Sequence, residues 1–201
     1  MASISKTAGT AVLAQQAVTH PDTVKGSAQD VSTKLAATIL MFHAGVEEAA
    51  NTNPGSFHVQ VSGSAAGDED WATVAQFTAS VSTFVTDPLT ATEPVGETVI
   101  AIANTTGFVA AGLCYVQDDD TLAQSEWHRI QEISTNASVT LVDGLVHQKT
   151  NSHWIWNYAE VFVCSLDLTA ISRLRVIFQH EGAAGANVHV KALMVTGDSI
   201  A

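Results

Sequence analysis

Thr105-Thr106-Gly107-Phe108, Ser125-Glu126-Trp127-His128-Arg129-Ile130, Ser138-Val139-Thr140-Leu141 and Leu145-Val146-His147: the reading of residues 105–153, which hold these runs, decides the fold. The apolar runs are too short for helices and rich in Val, Ile, Tyr and Trp. Gly107, Gly112, Asp118-Asp119-Asp120 and Asp143-Gly144 punctuate them, and such residues make turns. Strands are expected at 99–103, 113–117, 126–133, 139–142 and 154–156. Spacing of this kind closes as a small barrel of about five strands. No reactive motif interrupts it.

The flanking segments read as two halves of another sheet structure that this module divides. Residues 37–43 form an apolar run, and Asn53-Pro54-Gly55 signals a turn. Phe57, Val59 and Val61 then alternate with His58 and Gln60, so one face is expected inward. After the polar turn Gly67-Asp68-Glu69-Asp70, the same period puts Trp71, Thr73, Ala75 and Phe77 on one side. Residues 86–96, holding Pro88 and Pro94, read as a linker. Beyond the module, Phe162, Cys164 and Leu166 are expected inward, as are Leu174, Val176 and Phe178, with Arg173, Arg175 and Ile177 opposed. A Gly/Ala loop at 181–187 leads into Val188, Val190, Ala192 and Met194. Six outer strands, three on each side of the module, close into a two-layer sandwich. The expected fold is all-β: a jelly-roll-like β-sandwich over 35–92 and 158–201, split by a small barrel-like module at 93–157. Residues 1–34 are expected to form an N-terminal arm, with a short helix around 11–18.

Composition narrows the function. Charged residues make up 14% of the 201, against about 25% in an average domain. Such a surface suits a subunit covered by partners. The net charge of −12, from 8 basic and 20 acidic residues, opposes binding to a phosphate backbone, and Arg173 with Arg175 is the nearest approach to a basic patch. The apolar run at 36–44 falls far short of the roughly 20 residues that span a bilayer. The N-terminus, with Lys6 and an apolar patch at 11–14 broken by Gln15 and Gln16, does not read as a signal peptide. The sequons at Asn104 and Asn136 are then chance matches. Cys114 and Cys164 each lie in an apolar strand and are expected as buried thiols, with a disulfide left open.

Candidate chemistry is sparse. Eight histidines include His128, His147 and His153, which a small barrel could bring together as a three-His metal site, although neither helical spacing nor paired cysteines support zinc. Asp118-Asp119-Asp120 and Asp68-Glu69-Asp70 have oxygen ligands that suit calcium, yet neither has the spacing of a calcium loop, and both read as solvated turns. Glu126 and His128 share a strand face, where a polar contact is the ordinary reading and an acid/base pair the functional one. Trp127, Trp154 and Trp156 are candidates for a sugar-stacking platform or for an interface. No catalytic residue, cofactor site or metal site is assigned.

Several of these segments resemble a known family. The run Asp30-Val31-Ser32-Thr33-Lys34 before an apolar strand, the Thr-Thr-Gly-Phe turn, Ser-Glu-Trp-His-Arg-Ile, Val-Thr-Leu with Leu-Val-His, and Leu174-Arg175-Val176 are similar to virion structural proteins of tailed bacteriophages. The likeness is to the small β-rich capsid decoration (cement) and head-associated proteins, and spans about residues 30 to 200. It implies a protein without catalysis that binds the capsid exterior, bridges subunits of the major capsid protein and forms a homo-oligomer, a trimer above all. It implies a location on the virion after synthesis in the host cytoplasm, with neither nucleic acid nor membrane as partner. A neck, tail or fibre component, a carbohydrate-binding module built on the three tryptophans, and a metal enzyme built on the histidines stand as alternatives.

Overall fold

The protein is described from a computed structural model covering residues 4–6, 9–19, 21–45, 55–68, 70–79, 85–180 and 187–200. The turn expected at Asn53-Pro54, most of the Gly/Ala loop, Glu69 and His20 lie outside these residues. The chain divides into two compact units, Met1–His43 with Asn51–Ser80 and Val161–Ala201, and Ala44–Ala50 with Val81–Glu160. Among the described residues, seven strands precede residue 81: β1 (Ile4–Lys6), β2 (Thr10–Thr19), β3 (Thr23–Lys25), β4 (Gln29–Asp30), β5 (Ala36–Ala44), β6 (Ser56–Ser62) and β7 (Ala72–Thr78). The second unit contains β8 (Thr86–Pro88), β9 (Val99–Ala101), β10 (Leu113–Gln117), β11 (Glu126–Ser134), β12 (Ser138–Leu141) and β13 (Trp154–Trp156). The chain ends with β14 (Ala159–Asp167), β15 (Arg173–Gln179) and β16 (Asn187–Ile200). The fold is all-β; a 3₁₀ turn at Leu122–Gln124 is the helical element among the described residues. None of them forms a helix long and apolar enough to cross a membrane.

The first unit is a β-sandwich. One sheet runs β1-β16-β5-β14 with β2 also on β16; the other runs β3-β15-β6-β7 with β4 also on β15. Alternation along each strand sends one set of side chains inward. Val12, Leu13, Ile39 and Met41 from the first sheet meet Phe57, Val59, Val176 and Phe178 from the second in one core. Phe57 joins the layers, with ring centroids 4.8 Å from Phe178 and 6.1 Å from Phe162.

Residues 10–19, expected within an arm and in part as a helix, form a strand instead. It pairs with β16 from Asn187↔Thr19 to Met194↔Thr10, and Val12, Leu13 and Val18 are fully buried. The reason is a broken period: the register shifts around Ala192 put the adjacent residues Val12 and Leu13 both inside, so two-residue alternation is lost. A second bulge corrects the expected face of β7. Val59 pairs with Ala75 but Gln60 pairs with Thr73, leaving Val74 as an extra residue. Ala75 and Phe77 therefore pack on the core, while Thr73 turns outward and hydrogen-bonds Gln60 at 3.1 Å.

The second unit is a curled sheet of order β8-β13-β10-β11-β12-β9. An isolated bridge between Leu89 and Ile102 carries pairing on past its two terminal strands, and the Thr90 N–H donates to Ala101 O at 2.9 Å. Residues 86–96, read as a linker, are thus part of this unit, and Leu89 is buried in its core with Ile100, Val116, Ile130, Val139 and Ile155. Pro88 is accommodated because it ends a terminal strand, where a missing N–H breaks no central ladder. Cys114 and Cys164 are both free and buried, and burial pushes the Cys114 thiol up to about 12.

Replacing Leu13 by Ala is expected to destabilise the first unit by about 2–5 kcal/mol in denaturant unfolding, the range for a large-to-small change in a close-packed core; a surface arm would lose almost nothing. His43, His180 and His189 are buried as well. Burial takes His43 from 6.5 down to about 3, with His180 and His189 adding to the depression, and burial takes His189 to about 4. His43 and His189 fold neutral and gain a proton on unfolding in acid, so their contribution is complete above pH 6.5 and is lost as pH falls towards 4 and below. Thermal midpoints measured across that interval should fall with pH, and His43→Leu should flatten the slope.

Candidate functional site

The second unit surrounds one lysine with acids. Lys149 has a relative exposure of 0%, and its backbone is held by a reciprocal bridge to Glu93, each N–H donating to the other's carbonyl. An ammonium has three N–H donors and must satisfy all of them when water is excluded. Its Nζ lies 3.2 Å from Asp118 Oδ2 and 3.3 Å from Glu126 Oε1, and it donates to Gln124 O at 2.6 Å. Asp118 follows β10, Glu126 opens β11 and the 3₁₀ turn lies between, so a single cation holds both ends of the loop.

Glu126 is saturated in turn. Its Oε2 accepts from His128 Nε2 at 3.0 Å and from the Val146 N–H at 2.8 Å, and its Oε1 accepts from the His147 N–H at 2.9 Å. Burial raises its pKa, but the His128, Val146 and His147 hydrogen bonds and the field of Lys149 outweigh that and hold it at about 2. Asp118 follows the same balance: burial pushes it up, and the Thr121 N–H, Lys149 and His153 bring it below its ordinary value. The expected Glu126–His128 contact on one strand face is present. The carboxylate is ionised with its acceptor positions taken, an arrangement suited to holding a turn rather than to moving a proton.

The three histidines do not converge on one point. His128 serves Glu126, the ring of His147 lies 3.4 Å from that same carboxylate, and His153 Nε2 sits 3.3 Å from Asp120 Oδ2 and 3.7 Å from Asp118 Oδ1. Asp118, Asp120 and His153 bring ligand-type atoms within 4.8 Å of one another, the spacing of a cation site. Two features oppose that use. The Thr150 N–H donates to His153 Nδ1 at 3.4 Å, so the ring's lone pair is engaged there and Nε2 carries the proton aimed at the acids. Lys149 already supplies positive charge to Asp118. The lysine occupies the electrostatic role a metal would take.

The second acidic cluster is also answered by protein cations. Asp68 accepts from Arg175 at 2.7 Å and from the Trp71 indole at 2.9 Å, and Asp70 lies 3.3 Å from Arg173. Both guanidiniums cover the Trp71 ring, at 4.8 Å and 4.1 Å from its centroid. The tryptophans of the second unit separate: Trp127 and Trp156 flank the buried Tyr115, at 4.5 Å and 5.3 Å, whereas Trp154 pairs with Gln117 and is 36% exposed. Trp127 and Trp156 pack as part of a core cluster. Sequence reasoning passed over Lys149 and Tyr115, and read Arg173 only as an outward residue and half of the nearest approach to a basic patch. An isolated Lys between Gln148 and Thr150 reads as surface, and only the return of three distant loops to one point reveals its role.

No protein-family model matches the sequence, and no curated protein matches it. Among solved structures, the chain is similar to a crystal structure described as that of A. japonicus CB05, with 10% identity and a TM-score of 0.32 over 96% of this chain. It spans only 26% of that chain's length. It is also weakly similar to VP17, a capsid protein of bacteriophage P23-77, with 8% identity and a TM-score of 0.20 over 98% of both chains.

Removing the lysine head group while keeping its stem tests the cluster. Lys149→Met leaves two carboxylates buried without their shared cation and is expected to cost about 3–5 kcal/mol in unfolding free energy. Asp120→Asn, at an exposed carboxylate, should change stability by well under about 1 kcal/mol. A cation site at Asp118, Asp120 and His153 would instead show stabilisation on titration with calcium or zinc, abolished by Asp120→Asn.

Proposed function

We propose that this chain is a non-enzymatic structural protein of a bacteriophage particle, a decoration protein that binds the capsid exterior and bridges neighbouring major capsid subunits as a homo-oligomer. The observation that carries the reading is the state of the Lys149 cluster: its ionised groups are saturated by the protein itself, leaving them to hold loops. On the first unit, Arg173 and Arg175 are likewise engaged by Asp68, Asp70 and Trp71. Two antiparallel β cores with little charge suit a part that works by shape and adhesion. The family resemblance of the sequence points the same way.

Physically, a shell-bridging protein needs stiffness and a surface that tolerates burial. Close-packed sandwich and barrel cores supply the first. A charged fraction of 14% favours the second, because few ions lose their hydration on contact. The acidic balance steers the protein towards basic capsid patches and away from packaged nucleic acid.

Purified expanded capsids should bind the protein saturably, at a stoichiometry fixed by the lattice symmetry, and should rupture at a higher temperature once decorated. Capsids that bind none of it would refute the proposal. Binding restricted to tails or necks would move the protein to the alternative position in the particle. Tryptophan quenching by host polysaccharide, lost in Trp154→Ala, would support attachment instead.

A further inference from the structure

The two sides of the sandwich differ. On one, the second sheet ends in the short strands β3 and β4, which carry Lys25 and Asp30, and the first in β2, ten residues without charge. There the chain also draws the layers together. Gly26 donates its N–H to Val176 O at 2.8 Å, and any side chain at Gly26 would collide with the Val12 carbonyl of the other sheet. That side is closed.

The other side is open. β7 ends one sheet and β14 ends the other, and Phe77 and Phe162 touch across the layers with centroids 5.7 Å apart. β7, Ala72-Thr73-Val74-Ala75-Gln76-Phe77-Thr78, holds neither a charge nor a proline, and most of its residues are exposed. Residues 161–166 of β14 are uncharged as well, with its acids confined to Glu160 and Asp167. Val74 and Val163, at the bulge of β7 and the middle of β14, are 47% and 56% exposed. A terminal strand presents unpaired backbone N–H and C=O groups, and proteins that must stay single usually blunt it with Lys, Pro or inward charges. Here the bulge at Val74 is the one such device, and it leaves the regular run at 75–78 intact.

We propose that this side is a self-association surface, on which a second copy of the chain pairs its β7 antiparallel to the first about a two-fold axis. A second copy is the occupant the charge selects. A chain of net charge −12 repels itself wherever its acids meet, and on this open side β7 and residues 161–166 form a wall without charge, where that repulsion is small. Antiparallel pairing of a strand with its own copy is also self-complementary, so the contact closes on itself without a partner of different shape. Val74 and Gln76 come to lie in the contact. The inference does not rest on the shell-binding reading; it holds equally for a chain that never meets a capsid.

Sedimentation of the full chain over a concentration series should reveal a dimer, and amide exchange at 72–78 should slow as concentration rises. Val74→Lys with Gln76→Lys should weaken dimerisation by about tenfold or more, since inward-pointing charges and edge lysines disrupt strand addition. This happens even though two added positive charges lower the general repulsion. Val109→Lys with Val146→Lys, the same charge change at sites that are each 65% exposed on the second unit, should leave the dimer intact. A chain that stays monomeric throughout, a dimer equally sensitive to both double variants, or an oligomer without exchange protection at 72–78 overturns the proposal. Should the β7 variant lose its thermal transition, the exchange measurement on the unaltered chain decides.

Discussion

A cation stripped of water has to be surrounded by acceptors, and that constraint organises the second unit around Lys149. Its ammonium draws together the Asp118 turn, the carbonyl of Gln124 and the first residue of β11. Glu126, fixed by that contact, then receives the backbone N–H groups of Val146 and His147. Loops with little apolar content of their own thereby acquire single conformations. Buried ion pairs seldom add net stability compared with an apolar core of the same volume. What they impose is geometry, since alternative loop arrangements would leave a charge unmatched.

Much of the architecture could be read from alternation alone. Phe57 with Val59, Leu174 with Val176 and Phe178, and Val188 with Val190 all face the core as two-residue periodicity demands. Two of the failures share one cause. At Val12-Leu13 and at Val74 an extra residue shifts the phase, so the pattern resembles a helix in the first case and assigns Trp71 and Thr73 to the wrong face in the second. The prolines of 86–96 suggested a linker because chemistry that ends a strand is the same chemistry that starts a loop. Among the candidate site residues, the neighbourhood of Glu126 and His128 was legible from their shared parity. The part played by Lys149 was not, because its partners lie some twenty to thirty residues away and no local pattern encodes that convergence.

Trp71 illustrates how a displaced residue acquires a different use. Turned outward, it forms a plate beneath two guanidiniums whose acids come from its own turn. Arg173 also donates to the carbonyls of Ser64, Ala66 and Gly67. The turn before β7 is consequently ordered by a residue from β15, far along the chain. Charge is rare in this protein, and at Lys149, Arg173 and Arg175 it fastens turns and loops.

Strand order has a consequence for how the molecule is made. β15 lies between β3 and β6, and β16 lies between β1 and β5, so both sheets of the first unit lack an inner strand until residues 173–200 have left the ribosome. The strands β2 to β7 emerge early and must wait, their apolar faces uncovered, while the intervening unit is synthesised and can complete its own sheet from contiguous sequence. During translation the inserted unit is thus the first to close, and the sandwich that encloses it in sequence is the last. A chain truncated before β15 would leave β5 and the β6–β7 pair without the inner strands that complete their sheets.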